Sequence, residues 1–80
     1  MTEKVKKIAD REQRKKITRQ IEKIEREIIT HENTLSALRT KLDDPANSTD
    51  FELLHTLTRE ISVEESVLNE LMRDWEVLQE

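Results

Sequence analysis

Eight basic residues crowd the first quarter of this 80-residue chain, and such a cluster suits a polyphosphate. Residues 1–20 hold Lys4, Lys6, Lys7, Arg11, Arg14, Lys15, Lys16 and Arg19 against only Glu3, Asp10 and Glu12, a balance of +5. Residues 21–80 hold six basic and fifteen acidic residues, a balance of −9, so the formal net charge of −4 hides a division. A helical arm bearing Lys4, Lys7, Arg11, Arg14, Lys15, Lys16 and Arg19 would track a nucleic-acid backbone without reading base edges. The competing reading is a solvated helix end that carries charge for solubility.

Other chemistry is sparse. His31 and Glu64 are the polar interruptions in two otherwise apolar repeats, and they form a candidate hydrogen-bonded pair that fixes register at some cost in stability. A catalytic use of that pair is disfavoured, because two long helices side by side offer neither a pocket nor a nucleophile. His31 and His55 are the only histidines and lack the clustering of a metal site. Asp43, Asp44 and Asp50 do not have the spacing of a calcium loop and read as a solvated acidic turn. A chain without Gly has no phosphate-cradling loop, and one without Cys has no thiolate or disulfide. No catalytic residue, metal or cofactor is therefore expected in this chain.

The elements that must position these groups follow from apolar spacing. Ile17, Ile21, Ile24, Ile28, His31, Leu35, Leu38 and Leu42 alternate four and three apart, as do Leu54, Leu57, Ile61, Glu64, Leu68, Leu71, Trp75 and Leu78. That period buries a continuous seam against a partner helix. Two seams of equal length separated by a polar stretch predict an all-α, antiparallel two-helix coiled-coil hairpin. One domain spans 1–80, with helix 1 over about 10–42, a turn over 43–49, helix 2 over about 50–79, and residues 1–9 as a basic extension or tail. With 40% charged residues and one Pro, strands have little support.

Pro45 disfavours helix at Asp44 and stops the first helix. Thr49 and Glu52 fit a capping box at the start of the second. Phe51 falls one position off the seam and is expected over the hairpin tip, against Leu42. Centring the reversal near Ala46 pairs Ile24 with Leu68 and Ile17 with Trp75, with His31 and Glu64 in adjacent layers. Glu22 with Arg26, and Lys23 with Glu27, are four apart and suit weak surface ion pairs.

No apolar run approaches the roughly 18 residues of a membrane span, so a cytoplasmic, membrane-free monomer is expected. A second function class stays open. The acidic second helix could present Glu60, Glu65 and Glu70 to a basic protein, making the chain a docking or oligomerisation module with no nucleic-acid contact. A helical mutase would need inward-facing cations around a carboxylate substrate, whereas the inward positions here are overwhelmingly Ile and Leu.

Three stretches carry a resemblance: Gln13-Arg14-Lys15-Lys16-Ile17 entering a Glu- and Ile-rich helix, Leu42-Asp43-Asp44-Pro45-Ala46-Asn47-Ser48-Thr49-Asp50-Phe51, and Leu71-Met72-Arg73-Asp74-Trp75-Glu76-Val77-Leu78-Gln79-Glu80. Together they resemble the C-terminal domain of the ABC-F family, soluble proteins with two ATP-binding cassettes and no transmembrane domain. The resemblance covers nearly the whole chain; members often carry an aromatic residue where this chain has Ser48. It implies an appendage of an ATPase whose catalytic residues, ATP and Mg belong to the cassettes. The implied partners are DNA or ribosomal RNA, with the ribosome and translation as the setting. The basic entry segment is the part that carries over as a contact surface.

Overall fold

The computed structural model describes the backbone of residues 2–79 and the side chains of residues 11–79. Two α-helices, α1 (Thr2–Asp43) and α2 (Phe51–Gln79), are joined by a 3-10 turn at Pro45–Asn47. They pack along each other as an antiparallel hairpin, a rod measuring 72 × 14 × 14 Å. The core is a single file of leucines, with Leu35, Leu38, Leu57 and Leu68 buried and the flanking seam residues half-buried. Two helices enclose a line rather than a volume, which is why the isoleucines and Trp75 keep one side in solvent. Six exposed threonines return their hydroxyls to the carbonyl four residues back, as Thr18 does to Arg14 at 2.8 Å and Thr58 to Leu54 at 2.8 Å.

The turn explains where each helix ends. Asp44 leaves the helical conformation at φ −69°, ψ 120°, because the Pro45 ring crowds the residue before it. Its carboxylate accepts from the Ala46 amide at 3.0 Å. The Asn47 side chain donates at 2.9 Å to the Lys41 carbonyl, which also accepts from the Asp44 amide at 3.3 Å, at the C-terminus of α1. Asp50 caps α2 by accepting from the Leu53 amide at 3.1 Å. This corrects the capping box expected from Thr49 and Glu52: α2 begins one residue later, so Asp50 takes the cap position and holds the Leu53 amide, where a Thr49 cap would have held that of Glu52; aspartate is a stronger cap than threonine. Asp50→Ala should lower stability by about 1 kcal/mol in chemical denaturation, whereas Thr49→Ala should change it by less than half of that.

Phe51 does not fold over the tip; it is 78% exposed. Each helical residue turns about 100°, and a position off the Leu54–Leu57 seam aims the ring away from α1. Neither Glu22–Arg26 nor Lys23–Glu27 closes to ion-pair distance among the described residues, where the pairs are His31–Glu64 and Arg39–Glu65. Pairs four apart on a wet helix face are worth a few tenths of a kcal/mol at most, too little to immobilise both chains.

The register also differs from the one centred on Ala46. Trp75 lies beside Glu25 and Ile28 rather than Ile17, and Leu78 beside Ile24. The helices are offset by about one heptad, roughly 10 Å along the axis. The cause is the turn: after the break at Asp44, Pro45–Asn47 adds a further 3-10 turn, with the Ser48 amide bonded to the Pro45 carbonyl at 3.2 Å, so the reversal falls at Ser48–Asp50. As α2 ends at Gln79, about level with Gln20, the start of α1 outruns it by about 27 Å at 1.5 Å per residue.

Candidate functional site

The overhang is the basic segment. Arg11, Arg14, Lys15, Lys16 and Arg19 are all exposed, and only Ile17 among residues 11–20 is half-buried. Arg11, Lys15 and Arg19 recur every four residues and so share one face of α1, opposite the seam that begins at Ile17, Ile21 and Ile24. Arg14 and Lys16 flank that stripe. In the register centred on Ala46, Arg14 to Arg19 would have lain alongside the acidic α2; the offset carries them past its end. Lys4 and Lys7 belong to the same helix, but their side chains lie outside the described residues.

The structure also brings His31 and Glu64 together, with His31 Nδ1 2.6 Å from Glu64 Oε2 across the hairpin. An ionised carboxylate only accepts, so Nδ1 carries the proton in this contact. Both residues are half-buried, next to the Leu35 and Leu68 layers. The contact survives the offset: a full heptad carries Glu64 from the Ile28 layer past His31 to the Leu35 layer, so it stays about one helical turn from His31 along the axis, within side-chain reach. A double-mutant cycle with His31→Ala and Glu64→Ala should return a coupling of about 1 kcal/mol. A coupling of zero would mean that each side chain reaches solvent independently.

Arg39 donates to Glu65 at 3.0 Å on the outer surface, both side chains well exposed, and this engages one of the three glutamates considered for protein docking. Glu60 and Glu70 are exposed. Asp44 and Asp50 serve as caps, which accounts for acidic residues in the turn. Among the described residues no group of three or more His, Asp or Glu is placed to hold a metal ion, and no helix is long and apolar enough to cross a membrane.

The residues just off the seam stand outside the periodic pattern and remain uncovered in the hairpin. Ile29 and Met72 are 57% and 45% exposed, and Val63 and Val77 are exposed as well. Their signal was the doublets Ile28-Ile29 and Leu71-Met72, which widen the apolar stripe beyond what one partner helix covers.

Comparison with known families gives the domain its identity. A family model described as ABC transporter C-terminal domain matches residues 12–80, beginning within the basic overhang and including the turn and all of α2. No match was found among curated proteins or among solved structures. Domains of this family are accessory and non-catalytic, in keeping with a leucine-filled hairpin. With the match covering most of the chain, and with the turn and the Trp-Glu-x-Leu close in place, this chain belongs to the ABC transporter C-terminal domain family, as the C-terminal domain of the ABC-F type.

Proposed function

We propose that residues 1–80 act as one accessory unit of an ABC-F ATPase and contact DNA or ribosomal RNA through the basic start of α1. The observation that carries this reading is the overhang: five exposed cations stand on a helix that has outrun its acidic partner. A single helix with cations around most of its free surface suits a phosphate backbone, and the arm has no base-reading constellation among its described side chains. Lys4 and Lys7 extend the same charge in sequence. The acidic remainder repels nucleic acid and keeps the contact at one end of the rod. The turn sets the register that leaves the arm uncovered, and the His31–Glu64 contact ties the two helices together in it.

In the parent, ATP and Mg serve the cassettes, in the cytoplasm and at the ribosome, and this appendage acts as a monomeric, electrostatic tether. Anisotropy titration of labelled duplex DNA and of an RNA hairpin with the 80-residue chain tests the contact. Saturable binding that weakens steeply with salt and differs little between unrelated sequences is expected. Absence of binding to both, even at low salt, would overturn it.

A further inference from the structure

We infer that one flank of the hairpin is a docking groove for a basic amphipathic helix of a partner protein, which would complete a three-helix bundle over Trp75. The inference is independent of the nucleic-acid reading, since the groove uses none of the arm. It is a depression of about 310 Å³ lined by Glu25, Ile28, Ile29, Met72, Trp75 and Glu76. Its floor is apolar, and the charged residues that line it are both carboxylates.

Three features make it more than a stray apolar patch. Ile29 and Met72, on opposite helices, are both largely exposed yet share one depression, so neither is covered by the fold that holds them. The Trp75 indole N–H donates to Glu25 Oε1 at 3.4 Å, which satisfies the ring's polar atom and leaves its apolar face in the groove. One turn further toward the tip a second depression carries Glu32 beside Leu35 and Leu68, and the cation that also lines it, Arg39, is held by Glu65 at 3.0 Å. A third helix seated there would bury an apolar stripe, read as anchors three and four residues apart. Glu25, Glu32 and Glu76 select Lys or Arg on its flanks and exclude an acidic helix.

The chain's single tryptophan reports directly on occupancy. The probe is a synthetic 18-residue helical peptide with leucines at helical spacing flanked by lysines, compared with the same peptide flanked by glutamates. With the 80-residue chain, the lysine peptide should give a saturable blue shift of Trp75 emission. Ile29→Ser/Met72→Ser should weaken it about tenfold or more, and Glu25→Gln/Glu76→Gln should weaken it and flatten its salt dependence. Both positions of the apolar variant are surface-exposed, and unchanged far-UV circular dichroism checks its fold. Equal binding of the glutamate peptide, full binding by the Ser variant, or no saturation up to about 1 mM would overturn the assignment. So would a blue shift that grows with protein concentration alone, which would make a second copy of the chain the occupant.

Discussion

Leu57→Ala should leave the 80-residue chain largely unfolded at 25 °C. Leu57 is 3% exposed, the most deeply buried of the four core leucines. Truncating a buried leucine costs about 2–5 kcal/mol, and a single core in a chain this small rarely supplies more than about 3–5 kcal/mol in total. The single-file core worsens the loss, since no second layer of side chains stands behind Leu57 to collapse into the space. Phe51→Ala provides the contrast: removing a larger side chain that is solvent-exposed should shift stability by no more than about 0.5 kcal/mol. Urea denaturation followed by far-UV circular dichroism separates the two. A Leu57→Ala midpoint close to wild type would mean that the hairpin is not held together by its leucine file.

The architecture was legible because periodicity is a property of the whole seam. Every position from Ile17 to Leu42 and from Leu54 to Leu78 in the two repeats is half-buried or buried in the structure. What the sequence did not reveal was how far the chain travels before it turns. A proline announces a helix stop, but whether the following residues reverse at once or make another helical turn depends on hydrogen bonds of Asp44, Asn47 and Asp50 that no pattern displays. Each of those side chains is compatible with several turns. The difference at the turn propagates along both helices as the heptad offset, which is what leaves Arg14, Lys15 and Arg19 clear of α2, the feature on which the proposed contact rests. The exposed groove was missed for a related reason. A coiled-coil template assigns Ile29 and Met72 to the outside and then stops asking what they face.

The second large effect is on binding. If each of the five described cations of the arm meets a phosphate, the logarithm of affinity should fall with the logarithm of salt with a slope of about −4.5, roughly 500-fold between 50 and 200 mM. Arg14→Glu/Lys15→Glu/Arg19→Glu leaves two of the five, and its slope should shrink to about −1.8, roughly 12-fold over the same range. The reversed charges also repel phosphate, so affinity at low salt should fall as well. DNA and RNA of unrelated sequence should lose affinity alike, because backbone contacts carry no sequence information. These three side chains are exposed and outside the hairpin contacts, so the unfolding midpoint should stay within about 0.5 kcal/mol of wild type in stability.

The most direct test of the account is therefore the salt slope of nucleic-acid binding, measured for the wild-type chain and for this triple charge reversal on the same duplex and the same RNA hairpin. A steep wild-type slope that the reversal reduces by about three units is expected. A variant that binds as tightly as wild type with an unchanged slope would contradict it, and would show that the basic arm is not the contact surface.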